Sequence, residues 1–426
     1  MILAVYAREP LSAHETPIEK RFIARPMLCF SFIQNTEAMP VQSFQFITTP
    51  TILTEPGAAS KLAELCRERQ ASSVFLVTDG GILKAGLLER VRPAFERAAL
   101  KLSVFSEVDA DPSERTVLAA IDQARAAGTD TVIGFGGGSS MDVAKLVALL
   151  ASPGCSQSLP ETYGVGNAKG KRLPLIQVPT TAGTGSEVTP IAIVTTGETT
   201  KSGIVSPLLM PDVALLDAQL TLGLPPHVTA ATGVDAMVHA IEAYTSKIRK
   251  NPLSDMLAKE ALRLLAGNIR AAVSDGQNIE ARQAMLLGAT LAGQAFANAP
   301  VAAVHALAYP LGGHFHIPHG LSNSLVLPHV LRFNSSLAHV HYGELAPIVL
   351  QSPLTGGTSE RAELLISGLE QLISELGLPT RLRDLDIPES FLPRLAADAM
   401  LQQRLLVNNP REMSEAEALT IYRSAY

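Results

Sequence analysis

Thr131-Val-Ile-Gly-Phe135, followed at once by Gly136-Gly-Gly-Ser-Ser-Met-Asp-Val-Ala-Lys145, is the stretch whose reading decides the fold. Its β-branched apolar start reads as a buried strand and its glycines as a turn, with Val143, Leu146, Val147 and Leu150 forming the apolar face of a helix. Three glycines let a backbone approach a pyrophosphate closely, and the helix N-terminus beyond them offers free N–H donors with a favourable dipole. Gly136, Gly137, Gly138 and Ser139 are therefore candidate phosphate contacts; the same glycines also suit a tight turn built for packing alone. Ser139 with Asp142 three residues on predicts a capping box.

Outward from this turn, short apolar runs at 74–78, 131–135, 175–178, 191–195 and 213–216 alternate with helical stretches such as 57–69 and 112–127. That alternation predicts a parallel sheet covered on both faces. The pattern changes after Leu222-Gly-Leu-Pro-Pro226, where helical spacing takes over. The expected fold has two domains: an N-terminal α/β parallel-sheet dinucleotide-binding domain over 41–222 and an all-α metal-binding domain over 223–426. Residues 1–40 show no period and read as an extension of no assigned function.

The 426 residues exceed one ordinary core of about 100–200 residues. Hydrophobic residues at 47% against charged residues at 17% argue for a folded chain. Lys plus Arg number 34 against 40 Asp plus Glu, a net charge of −6 with no dense basic run, so no nucleic acid partner is expected. Cys29, Cys66 and Cys155 form no C-x-x-C and fit a reducing cytoplasm. Residues 283–331 carry no Asp, Glu, Lys or Arg, yet Pro300, Pro310, Pro318 and Pro328 cut them and several His and Asn dot them. That reads as a lined interior cavity rather than a membrane span.

Asp79 closes the strand at 74–78 and leads into Gly80-Gly81, which places it at a strand's carboxyl edge, either as a ribose partner or as an Asx turn. The hydroxyl-rich loop Pro179-Thr-Thr-Ala-Gly-Thr-Gly-Ser-Glu-Val-Thr189 follows another strand and can line a cofactor groove, with Thr180, Thr181 and Thr184 as its donors. Lys201 has the reach for a cofactor phosphate. Asp235 and His239, four apart in an apolar helix, share a face, and His305 and His319 lie in the charge-free stretch across a Pro/Gly turn. One carboxylate and three imidazoles suit a divalent ion such as Fe²⁺ or Zn²⁺ with a position left for substrate. His314 and His316 read as outer groups or packing, and His339 and His341 as surface residues.

The glycine turn, the 179–189 loop, the helix Gly233-Val-Asp-Ala-Met-Val-His-Ala-Ile-Glu-Ala-Tyr244 and the segment 305–323 occur in the order and spacing of the iron-containing alcohol dehydrogenase family, which the chain resembles from about residue 41 onward. The resemblance implies an N-terminal NAD(P)-binding domain, a helical metal domain and an active site in the cleft between them. It carries Asp235, His239, His305 and His319 over as ligands of one divalent metal, Fe²⁺ ahead of Zn²⁺. It also carries Gly136, Gly137, Gly138 and Ser139 as pyrophosphate contacts, Thr180, Thr181 and Thr184 as cofactor contacts, and Asp79 as the ribose partner, which favours NAD over NADP. Four residues after His305, where many members have a second histidine, stands Tyr309, as in the branch containing hydroxyacid-oxoacid transhydrogenases; Tyr309 is the candidate catalytic residue.

The expected activity is metal-dependent hydride transfer between NAD(P) and an alcohol/aldehyde, ketone or hydroxyacid pair, in a cytoplasmic homodimer acting on small molecules away from membranes. A maleylacetate reductase, a hydroxyacid-oxoacid transhydrogenase, a dehydroquinate-synthase-like lyase and a sensor with a dead site are the alternatives. Paired histidines expected of the reductase are replaced by Ala303-Val304, and the uncharged 283–331 stretch disfavours the lyase's sugar-phosphate pocket.

Overall fold

Strands that are apolar on both faces must be covered on both, and the computed structural model shows how. It describes residues 43–197 and 200–426, so the 1–40 extension lies outside the described residues. The strands in chain order are β1 (Thr51–Thr54), β2 (Ser73–Val77), β3 (Lys101–Phe105), β4 (Thr131–Gly136), β5 (Gly164–Val165), β6 (Leu175–Pro179), β7 (Ile191–Thr196), β8 (Thr200–Val205) and β9 (Val213–Leu216). Six of them form a sheet in the order β1-β9-β6-β4-β2-β3, and every pairing in it is parallel. Alternate residues of β2 and β4 feed two cores. Phe75, Val77 and Val132 face one, against α4 (Glu114–Ala126) and α5 (Gly138–Leu150). Val74, Leu76, Ile133 and Phe135 face the other, against α1 (Leu62–Glu68), α2 (Gly80–Lys84) and α3 (Arg92–Arg97).

The run at 191–195 corrects the expectation that it joins the parallel sheet. As β7 it pairs antiparallel with β8, from Ile191↔Val205 to Thr196↔Thr200, in a separate three-stranded sheet with β5. Its burial alternates along the strand, whereas β2, β4, β6 and β9 are buried throughout. One covered face, not two, is what a hairpin beside the sheet provides.

The remainder of the chain is helical: α6 (Pro226–Thr245), α7 (Pro252–Ser274), α8 (Ile279–Asn298), α9 (Ala303–Phe315), α10 (His319–Val349), α11 (Thr358–Glu375), α12 (Leu392–Ala399), α13 (Gln403–Leu406) and α14 (Glu415–Ser424). Their shared core takes in Val188, Ala214 and Leu216, so it is continuous with the sheet domain. Among the described residues no helix is long and apolar enough to cross a membrane.

Chain order positions the site. From β2 the chain steps outward to β3, then returns to β4 on the other flank of β2. The carboxyl ends of β2 and β4 thus bracket a topological switch point, where open parallel sheets bind ligands. Asp79 and the 136–138 glycines sit there.

Candidate active site

At the switch point Asp79 caps α2, its Oδ1 accepting from the N–H groups of Gly81 (2.8 Å) and Ile82 (3.1 Å). Its other oxygen, Oδ2, accepts from Ser140 Oγ at 3.3 Å. A Cβ at Gly136 would fall 2.7 Å from Ser140 Oγ and 3.2 Å from Asp79 Oδ2, so only glycine leaves this cradle open. A groove of about 780 Å³ follows, lined by Asp79, Gly137, Gly138, Ser139, Thr180, Thr181 and Thr184. The expected capping box is absent. The helix starts earlier than that reading required, with Gly137 at its N-cap and no side-chain cap, so Ser139 is already helical and its hydroxyl donates to the Ala110 carbonyl. Asp142 instead accepts from Ser186 Oγ (2.6 Å) and the Ile193 N–H (2.9 Å), which ties α5 to the 179–189 loop and to β7. Beside it Lys145 is wholly buried, donating to Ser186 Oγ (2.7 Å), Thr189 Oγ1 (3.1 Å) and the Ile191 carbonyl (2.6 Å). Burial pushes its ammonium below the ordinary lysine range, and Asp142 opposes that.

The second cluster lies across the groove. Asp235 and His239 project from one face of α6, His305 comes from the first turn of α9, and His319 begins α10 after the turn at His316, which is left-handed (φ 54°). One donor atom from each of the four lies within 4.8 Å of every other. Two imidazoles are held from behind: His239 Nδ1 by the Gly183 carbonyl at 3.3 Å, and His305 Nδ1 by Glu242 Oε2 at 2.6 Å. Those bonds turn the Nε2 atoms toward the cluster. Burial drives His239 below the ordinary histidine range and His305 well below it, so both are neutral at pH 7. Burial opposes ionisation of Asp235, but the charge that the surrounding imidazoles carry when protonated and the Asn323 amide outweigh it and hold the carboxyl below its ordinary range. A buried carboxylate among neutral imidazoles lacks a full counter-charge, and a divalent cation would supply it.

Sequence reasoning missed Glu242 and Asn323. Glu242 Oε1 also accepts from the Val304 N–H at 2.7 Å, so this one carboxylate both aims His305 and caps α9 from another helix. Burial pushes it up to about 7. Asn323 Nδ2 donates to Asp235 Oδ1 at 2.5 Å. A signal existed: Glu242 stands three residues after His239, on the same helical face in an otherwise apolar run.

The cluster opens on a cavity of about 210 Å³ whose walls include Ile191, Ile193, Phe296, Val301, Tyr309, Lys201 and Arg404. This cavity shares Ala110, Gly138, Ser139 and Thr184 with the glycine-turn groove, so the two are continuous. The Tyr309 ring lies 5.9 Å from that of His319. β8 places Lys201 on the wall of this same cavity, where Nζ pairs with Asp111 Oδ1 at 2.6 Å. His314 pairs with Asp398 at 2.6 Å, away from the cavity, and His341 packs edge-on against Tyr244.

A parallel-sheet domain with a glycine turn at its switch point, joined to helices bearing a carboxylate and three imidazoles, defines a class of two-domain dehydrogenases. The chain matches "Iron-containing alcohol dehydrogenase" over residues 49–218 and "Fe-containing alcohol dehydrogenase family, C-terminal" over 229–426. It belongs to the iron-containing alcohol dehydrogenase family and is an alcohol/aldehyde oxidoreductase. Among its relatives, long-chain-alcohol dehydrogenase 1 of Geobacillus thermodenitrificans is 40% identical over 87% of this chain and 93% of its own length. Sulfoacetaldehyde reductase of Bilophila wadsworthia is 34% identical over 90% of this chain and 99% of its own. Of solved structures, a 1,3-propanediol oxidoreductase superposes with a TM-score of 0.87 at 35% identity, covering 90% of this chain and 100% of that one. A sulfoacetaldehyde reductase from Bifidobacterium kashiwanohense in complex with NAD⁺ gives 0.80 at 30% identity, covering 90% and 99%.

Proposed function

We propose that this oxidoreductase works with NAD in preference to NADP and with one divalent ion, Fe²⁺ ahead of Zn²⁺, as a cytoplasmic homodimer. In this reading 41–222 is the cofactor domain and 223–426 the metal domain, with residues 1–40 outside the machinery. One observation supports the pairing of a metal with a dinucleotide: four donor atoms within 4.8 Å open on a groove continuous with the glycine turn. Asp235, His239, His305 and His319 would hold the ion. When bound, the ion withdraws charge from the substrate oxygen and the nicotinamide carries the hydride. Gly136, Gly137, Gly138 and Ser139 present N–H groups to the pyrophosphate, Thr180, Thr181 and Thr184 flank it, and Asp79 accepts from the ribose. Asp142 acts beneath the cofactor, holding α5 against the 179–189 loop, and Lys201 acts at the substrate end. Tyr309, in the place where many family members have a second histidine, faces the cavity and is assigned the proton transfer at the substrate oxygen.

The test is metal analysis of protein purified without oxygen, combined with NADH oxidation at 340 nm on an aldehyde panel. His319→Ala should lose metal and turnover together, while His341→Ala keeps both. Full metal occupancy in His319→Ala would overturn the ligand assignment.

A further inference from the structure

The substrate cavity contains two cations of unequal standing. Lys201 is neutralised by Asp111, and Asp142, the other acid in the cavity wall, has both oxygens engaged by Ser186 and Ile193. Arg404 has no such partner: among the described residues its guanidinium makes no ion pair and donates no hydrogen bond. It is partly buried on α13 and lies against Gly203 of β8, where a Cβ would come within 3.4 Å of Nη2. The Asn408 amide steadies this corner by donating to the Val301 carbonyl (2.9 Å) and the Arg404 carbonyl (3.0 Å). A guanidinium at the wall of a cavity that also presents Ile191, Ile193, Phe296 and Val301 gives up part of its hydration without recovering it from a carboxylate of the protein. Its planar fork matches a carboxylate or sulfonate, and a ligand bearing one supplies the missing partner.

We propose that Arg404 selects a substrate whose aldehyde or alcohol end meets the metal-ligand cluster while a carboxylate or sulfonate at its other end pairs with the guanidinium. Both ends are lined by the one cavity, which holds Arg404 together with His239, His305 and His319. The substrate class is thus a short ω-oxo acid or its hydroxy acid, with a small apolar spacer against Ile191, Ile193 and Val301. This deepens the alcohol/aldehyde reading and rests on it.

The experiment compares kcat/KM for succinic semialdehyde, sulfoacetaldehyde and the neutral pentanal in the metal-loaded enzyme with NADH. At least one anionic aldehyde should be preferred over pentanal by tenfold or more. Arg404→Gln should raise KM for the anionic aldehydes 10- to 100-fold, with a loss at least tenfold greater than for pentanal, and Arg404→Lys should recover part of it. The better anionic aldehyde decides between carboxylate and sulfonate. Calorimetric titration of the NADH complex with butyrate gives a readout that needs no turnover, and binding should weaken at least tenfold in Arg404→Gln. Pentanal turnover with no anionic preference, or equal losses on charged and neutral aldehydes, would overturn the Arg404 proposal and leave the oxidoreductase reading standing. No turnover of any aldehyde by metal-loaded enzyme, with butyrate bound equally by both proteins, would overturn both.

Discussion

Glu242 does not itself line the cavity, yet one carboxylate fixes both the ring of His305 and the start of α9. Glu242→Gln keeps the shape and can still donate or accept once, but it cannot accept from both partners with a full charge. Metal affinity should fall 10- to 100-fold, as is usual when the group behind a ligand is altered, with the folded state retained; competition against a chelator reads it. Asp79 is the second residue whose two oxygens have separate duties, one capping α2 and the other facing Ser140. Replacement by Gly would remove the cap along with the charge, whereas Asp79→Asn keeps an acceptor for the cap. Two charges about 5 Å apart at an effective dielectric of about 20 repel by roughly 3 kcal/mol before screening. Asp79→Asn should therefore shift the ratio of NADP to NAD specificity upward by tenfold or more; an unchanged ratio would remove Asp79 as the discriminator. The candidate cluster was legible because Asp235 and His239 share a helical face in an apolar run while His305 and His319 stand in a charge-free stretch, and the structure brings donor atoms of all four within 4.8 Å of one another. Glu242 was legible only as a carboxylate on the face of His239 and Arg404 not at all, since a charge shows its partner only once distant segments meet.

Among elements, the 179–189 loop and α8 meet backbone to backbone. Gly185 has φ 61°, and a Cβ at Gly293 would fall 2.8 Å from both the Cα and the carbonyl oxygen of Gly185. Backbone meets backbone there, so neither neighbour can yield by rotating a side chain. Gly293→Ala should lower stability by about 1–3 kcal/mol, the range for overpacking, seen as a lower urea midpoint; an unchanged midpoint would mean that the loop stands off from the helix. The starts of β6 and β9 are pinned differently, by Arg172 gripping both oxygens of Asp212 at 2.6 and 2.7 Å and by the Leu175 N–H at 2.8 Å. Burial would raise the Asp212 carboxyl, but these bonds outweigh it and hold it below the ordinary range. A depressed carboxyl stabilises the fold above its unfolded pKa of about 3.9 and loses that contribution as pH falls through the lower folded value. In Asp212→Asn the urea midpoint should accordingly change less between pH 5 and pH 3 than in the parent. The buried strands were readable as apolar runs. The hairpin of β7 and β8 was not, because a half-covered strand and a sheet strand look alike over five residues, and only the pairing partner separates them.

For the whole molecule, the switch in sequence pattern near 222 reflects a real change of architecture, since strand–helix alternation and helical spacing bury apolar surface by different periods. What no pattern displays is how the two halves depend on each other. His239 lies on a helix, yet the carbonyl that orients its ring belongs to Gly183, in a loop of the sheet domain. The geometry of the four-residue cluster is thereby shared across a boundary that would otherwise invite treatment as a seam between modules. A helical half made alone would contain every donor atom but not the contact that aims one of them, and a sheet half alone would expose a loop shaped to meet a missing neighbour. A chimera joined at this seam would have to match loop and helix together to keep that contact.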